Sequence, residues 1–142
     1  MTKQEFLQAF LDTSDEQKVQ FAVDAGKMLY QAFGQDYEAF IGFMRATACL
    51  FSAADGVVHP TEVGIYNIAT GDKLTQEQFF QMTNSFLSQG NNIVQQYYEY
   101  VNKFDPELRT ILAYFCLALV GYDDTFTAEE TMFLLPLLPE LD

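Results

Sequence analysis

Apolar residues recur along the chain at the three- and four-residue spacing of an amphipathic α-helix. Phe6 and Phe10 follow this spacing near the N-terminus, and Leu108, Ile111 and Phe115 follow it near the C-terminus. No stretch alternates convincingly between apolar and polar residues, as a half-buried strand would. Every segment between Gly and Pro breakers has the length of a helix. The pattern therefore predicts an all-α fold of seven or eight helices.

Capping residues predict where these helices begin and end. A Ser or Thr followed three residues later by Glu or Gln forms a capping box, which predicts helix starts at Thr2, Ser14, Thr75 and Thr127. Proline suits the first helical position, where its missing N–H costs nothing, so Pro60 and Asp105-Pro106 predict two more starts. Three glycines predict helix ends, at Gly34, Gly71 and Gly90.

Two of the predicted helices are apolar nearly all round, and a helix of that kind is typically buried. One runs from about Asp36 to Ala54, and the other starts at Pro106. The sequence therefore predicts two central helices with the remaining helices packed around them. The first two helices, before Gly34, are predicted to form an antiparallel pair.

Each central helix runs into an acidic stretch, and the two stretches resemble each other. Shifting residues 51–62 by sixty-eight positions onto residues 119–130 pairs Asp55 with Asp123 and Glu62 with Glu130. This repeat predicts a helix–acidic loop–helix unit used twice within a single domain spanning 1–142. The predicted parts are an N-terminal helical pair (1–34), a first repeat (35–71), intervening helices (72–104) and a second repeat (105–142).

Composition supports a globular chain and disfavours some partners. The 142 residues have the size of one domain, and 49% of them are hydrophobic, so a full core can form. Seven basic residues against twenty acidic ones give a formal net charge of −13. Nucleic acid and anionic membrane surfaces are therefore disfavoured, whereas a basic protein partner is one interpretation of the charge. Simple solubility, cation binding and mimicry of nucleic-acid charge are the others.

The two cysteines and the lack of membrane signals help to predict the cellular compartment of the protein. Cys49 and Cys116 lie inside apolar helical runs without a Cys-x-x-Cys spacing, which predicts free buried thiols. No apolar run reaches the roughly 18 residues of a membrane span, and the N-terminus lacks a signal-peptide pattern. These features predict a cytoplasmic protein.

The first acidic stretch, Ala54-Asp55-Gly56 followed by Glu62, resembles the Ala-Asp-Gly…Glu signature of the tellurite-resistance TerB-like family. Asp123 to Glu130 is similar to its second, weaker copy, although Asp124 stands where the first copy has Gly56. The resemblance covers roughly residues 36–137. It implies an all-helical domain in a bacterial or phage context, linked to stress and metal resistance. It also implies a cation site built from acidic residues of the paired loops.

The loop carboxylates allow two interpretations. As ligands, they would form a shared, partly hydrated site for a hard divalent cation such as Ca²⁺, Mg²⁺, Mn²⁺ or Zn²⁺. The candidate metal ligands are Asp55, Glu62, Asp123, Asp124, Glu129 and Glu130. As helix-start residues, the glutamates would interact favourably with exposed N–H groups and the helix dipole, without any ligand. Aspartates at the ends of the preceding helices are harder to explain this way, because the dipole there disfavours negative charge.

Other residues near the loops have simpler interpretations. His59, the only histidine, could add a nitrogen ligand and favour zinc or manganese, but a lone His before Pro in a turn is more often an exposed helix-start residue. Val58 and Phe126 are predicted to anchor the loops either to the core or to each other. No catalytic dyad, phosphate loop or zinc-protease motif is present, so no enzyme is predicted. A cation-binding stress-response domain and a metal-free acidic interaction module are the two main functional hypotheses, and an acidic enzyme is a third, less favoured one.

Overall fold

The computed structural model describes residues 2–54, 58–121 and 128–138. This part of the chain contains eight α-helices, one short 3₁₀ helix and no strand, which confirms the all-α prediction. The helices are α1 (Lys3–Leu11), α2 (Asp15–Ala32), α3 (Tyr37–Ala54), α4 (Pro60–Thr70), α5 (Gln76–Leu87), α6 (Asn91–Val101), α7 (Pro106–Val120) and α8 (Ala128–Leu134), followed by a 3₁₀ turn at Leu135–Leu137.

Capping residues predicted from the sequence do cap helices in the structure. Thr2 and Thr75 form complete capping boxes, and Ser14 accepts a hydrogen bond from the backbone N–H of Gln17. Asp105 caps α7 by accepting from the N–H of Leu108 at 2.8 Å. Gly71 ends α4 in the left-handed conformation, at φ 76°, which glycine adopts at little cost. The box predicted at Thr127 lies outside the described residues.

Helix α2 packs most extensively against α7 and then against α4. Its contact with α4 is close, because a Cβ at Gly26 would overlap the carbonyl oxygen of Ala69. Helix α1 contacts α2 through aromatic rings, with the Phe10 and Phe21 centroids 5.7 Å apart. The short first helix therefore lies beside α2, while α2 is held chiefly by later parts of the chain.

The core is built around α3 and α7, as their apolar sequences predict. From Leu112 to Val120, all but one of the α7 side chains are buried, and α3 buries both apolar and small polar side chains. Within this core Tyr97 stacks on Phe43 at 5.6 Å, and its hydroxyl lies 2.8 Å from that of Thr47. Cys49 and Cys116 are free and buried, which confirms that prediction. In the described ranges, no helix combines the length and apolarity needed to cross a bilayer.

Helices α3 and α4 run antiparallel, and both ends of the pair are fixed by polar contacts. Near the loop that joins them, Ser52 of α3 bonds to Glu62 of α4. At the other end, Arg45 of α3 bonds to Asp72, which follows α4. The hairpin therefore closes on the first acidic stretch. Helix α8 packs against α3 and α7, so the helix after the second acidic stretch also reaches α3.

Candidate functional site

Glu62 lies in the first turn of α4 and is almost completely buried. Its Oε2 accepts a hydrogen bond of 2.7 Å from the hydroxyl of Ser52, ten residues earlier on α3. Its Oε1 lies 4.0 Å from Nε2 of His59, which is about 38% exposed and occupies the N-cap position. The His59 side chain makes no capping hydrogen bond. The carboxylate thus points into the α3–α4 junction beside a titratable imidazole.

Glu130 occupies the corresponding place in the second acidic stretch, and it is also buried, at 4% exposure. It lies in the first turn of α8 (Ala128–Leu134), which packs on α3 and α7. A carboxylate that serves only the helix dipole gains about 0.3–1 kcal/mol and can do so from an exposed position. Because burying a charge is costly unless it is paired or hydrogen-bonded, the burial of these two glutamates depends on contacts beyond the helix dipole.

The other four predicted ligands lie outside the described residues, either entirely or in their side chains. Asp55, Asp123 and Asp124 lie outside the described residues, and Glu129 lies in α8 with a side chain outside them. Where side chains are described, no group of three or more His, Cys, Asp or Glu has an arrangement that could hold a metal ion. The structure therefore locates Glu62 and Glu130 at the starts of two helices that both contact α3.

The chemistry of these two side chains is compatible with a hard cation. Carboxylate oxygens are the ligands that Ca²⁺ and Mg²⁺ prefer. An ionised carboxylate offers about four lone-pair positions, so one hydrogen bond from the Ser52 hydroxyl is compatible with metal coordination at Glu62. Each of these two carboxylates, taken by itself, is therefore of a chemical type that binds a divalent cation.

Val58 anchors the return from the first acidic stretch, in agreement with the sequence prediction. Its side chain is buried, and its carbonyl accepts a hydrogen bond of 3.1 Å from the side-chain amide of Gln76. This contact ties the residue that precedes α4's N-cap to the start of α5. Phe126, its predicted counterpart, lies outside the described residues.

A second polar cluster, which the sequence did not reveal, lies at the far end of the α3–α4 hairpin. The Arg45 guanidinium donates two hydrogen bonds to Asp72, from Nε at 2.9 Å and from Nη2 at 3.0 Å. The hydroxyl of Tyr66 and the backbone N–H of Lys73 donate to the same carboxylate at 2.8 and 2.9 Å. Thr70 completes the turn by accepting from the backbone N–H of Asp72.

These bonds decide the ionisation of the cluster. Burial by itself raises the pKa of Asp72, but the donors from Arg45, Tyr66 and Lys73 outweigh it and hold that pKa below its usual value of 3.8. Burial, together with the bond to Asp72, raises the pKa of Tyr66 well above 10.0. Asp72 therefore stays ionised and pairs with a permanently charged guanidinium.

One feature of the sequence weakly indicated that this polar cluster exists. Arg45 is a lone basic residue inside an apolar helix, and it lies on the same side of α3 as Cys49 and Ser52, at spacings of four and seven residues. A charge at such a position needs a partner. No pattern in the neighbouring sequence indicates that the partner is Asp72, because Asp after Gly71 is typical of an ordinary turn.

Comparisons of the chain with protein-family models, with curated proteins and with solved structures gave no match.

Proposed function

We propose that this protein is a TerB-like, cytoplasmic stress-response or sensing domain that binds a divalent cation at its two acidic loops and has no catalytic activity. The ligands are drawn from Asp55, Glu62, Asp123, Asp124, Glu129 and Glu130. The proposal combines the resemblance of the acidic stretches to that family with the burial of two of the six carboxylates.

The burial of Glu62 and Glu130 is the observation that carries the proposal. Both glutamates begin a helix after an acidic stretch, both are buried, and both helices contact α3. Surface acids that only raise solubility have no reason to be desolvated. Two desolvated carboxylates at related positions are instead expected where negative charge is concentrated and then neutralised.

Electrostatic repulsion explains why an ion would matter to the loops. Two carboxylates about 4 Å apart repel by roughly 4 kcal/mol at an effective dielectric constant near 20, which exceeds the gain from a helix cap. Each loop spans only eight residues from Asp to Glu, against about twelve in a calcium-binding EF-hand. Neither loop is long enough to surround an ion alone, so a site shared by both loops is the workable form.

Such a site would link ion concentration to the stability of the folded chain. With an ion bound, the carboxylates would no longer repel one another, and the ends of α3 and α7 would be held to the starts of α4 and α8. A ligand that binds only the folded chain stabilises it in proportion to the logarithm of its concentration. This linkage supplies the physical basis for a sensing role.

Thermal unfolding with added Ca²⁺, Mg²⁺, Mn²⁺ or Zn²⁺ tests the proposal. At about 100 times the dissociation constant, one bound ion stabilises by about 2.7 kcal/mol, which raises the melting temperature by roughly 5–10 °C for a chain of this size. Asp55→Asn and Asp123→Asn should each remove the response. Asp12→Asn is the control, because Asp12 is an exposed acid at the end of α1.

The metal-free interaction module predicts the opposite outcome. In that case no ion at millimolar concentration shifts the melting temperature, and the Asp→Asn variants at 55 and 123 respond like the parent. Either result would remove the basis for the cation site.

A further inference from the structure

A groove between α2 and α7 combines an apolar floor with two acidic residues and lies apart from the acidic loops. Its volume is about 400 Å³. The apolar part is lined by Phe21 and Met28 from α2 and by Ile111 and Tyr114 from α7, while Asp24 and Glu107 provide the carboxylates. Among the described residues that line it, none is Lys, Arg or His.

The groove is preformed rather than a gap between loosely packed helices. Helices α2 and α7 form the most extensive helix–helix contact in the described chain. The rings of Phe21 and Tyr114 lie 5.3 Å apart across the groove, and α1 supports both, with Phe10 and Phe6 each at 5.7 Å from one of them. The floor is therefore held by aromatic contacts from three helices.

Its two walls carry the same arrangement of residues. On α2 the exposed Asp24 precedes Met28 by four positions, and on α7 the exposed Glu107 precedes Ile111 by four positions. Residues four apart share a helix face, so each wall presents a carboxylate next to an apolar side chain. Met28 is 51% exposed, which leaves apolar surface available for contact.

We infer that this groove docks a basic amphipathic helix of a partner protein. Apolar side chains of that helix would fill the space above Phe21, Met28 and Tyr114, and its Lys or Arg side chains would pair with Asp24 and Glu107. A net charge of −13 would also speed the approach of a basic partner. The same charge disfavours a second copy of this chain, because like charges would meet.

The inference is independent of the cation site, since no groove residue belongs to the acidic loops. A synthetic helix of about 18 residues, built from Leu and Lys with one Trp, is the probe. The chain itself contains no Trp, so indole fluorescence reports the probe alone. A helix in which Glu replaces every Lys is the matched control peptide.

Charge reversal on the protein provides the decisive comparison. Asp24→Lys/Glu107→Lys should weaken binding of the Leu/Lys helix at least about tenfold, because two attractive pairs become repulsive. Glu38→Lys/Glu99→Lys is the matched control, since it changes the net charge equally. Glu38 and Glu107 are both first-turn acids, and Glu99 and Asp24 both accept from a Gln four residues earlier.

The apolar contribution is tested by Met28→Ala, which alters an exposed side chain and should leave the fold intact. It should weaken binding roughly threefold to tenfold. Binding that is lost equally in the control double variant would overturn the inference, because general attraction to an acidic surface would then suffice. The absence of binding at about 1 mM, or equal binding of the Leu/Glu helix, would overturn it as well.

Discussion

Two carboxylates lie at opposite ends of α4, and they are held in different ways. Asp72, just after the helix, accepts two hydrogen bonds from a guanidinium, one from a tyrosine and one from the backbone. Glu62, in the first turn, is more deeply buried; its carboxylate accepts a hydrogen bond from the Ser52 hydroxyl and lies 4.0 Å from Nε2 of His59. The difference separates a carboxylate that is paired with a guanidinium from a buried one that we propose as a cation ligand.

The same helix, α3, supplies the partner at both ends. Arg45 and Ser52 lie seven residues apart, or two turns, and face the antiparallel helix α4. Between them lies Cys49, whose thiol pKa burial raises to about 11, so it stays protonated near neutral pH. One face of α3 therefore carries an ion pair with Asp72, a protonated thiol and a hydrogen bond to Glu62, in that order toward the acidic loop.

Removing the guanidinium should have the largest effect on stability. Arg45→Ala leaves Asp72 charged and mostly buried without its main partner, which should lower the free energy of unfolding by about 2–3 kcal/mol. The expected loss in the free energy of unfolding is no larger because the Arg45 side chain is 42% exposed and its charge is partly screened by solvent. Urea denaturation measures the change.

Arg45→Lys sharpens that test, because it keeps the charge and removes the two-bond geometry. It should be destabilising by less than Arg45→Ala. Equal losses in the two variants would mean that the forked contact, rather than the charge, holds the end of the hairpin.

Removing the Ser52 hydroxyl, at the Glu62 end of α4, should lower the free energy of unfolding by less. Ser52→Ala deletes the donor to the buried Glu62 and should cost about 1–2 kcal/mol in the free energy of unfolding. Ser88→Ala is the control: its hydroxyl also makes a 2.7 Å bond, but at an exposed position, so a change within about 0.5 kcal/mol is expected. Similar values for the two variants would contradict a structural role for the Ser52–Glu62 contact.

The smallest of the expected effects is a difference between Asp72→Asn and the parent protein in how stability depends on pH. Because the pKa of Asp72 is lowered on folding, its contribution is complete above the ordinary value of 3.8 and is lost as pH falls through the lower, folded value. Asp72→Asn should therefore lose less stability than the parent between neutral pH and about pH 3. Parallel pH profiles for the two proteins would contradict the ionised state assigned to Asp72.

Local chemistry allowed much of the fold to be predicted from sequence. A cap such as Thr75 or Asp105 satisfies backbone groups within three residues, so its effect is readable without knowing the rest of the chain. The same holds for Gly71, whose left-handed conformation ends α4. The apolar surfaces of α3 and α7 identified them as buried, because a helix without a polar face must lie in a core.

Contacts between distant residues could not be predicted in this way. The burial of Glu62 depends on how α3 lies against α4, so its first-turn position alone indicated only a helix cap. The Arg45–Asp72 pair spans twenty-seven residues and leaves no local pattern. For the second acidic stretch, Asp123 and Asp124 stay predictions, as does the internal repeat that relates them to Asp55.

The most direct test of the central claim is the stoichiometry of ion binding, measured by isothermal titration calorimetry with each divalent cation. The account predicts a single ion per chain, with binding abolished by Glu62→Gln alone and by Glu130→Gln alone, because both loops contribute to one site. Asp72→Asn should leave binding intact. Two independent ions, an ion that survives either glutamine variant, or no heat with any cation would contradict the account.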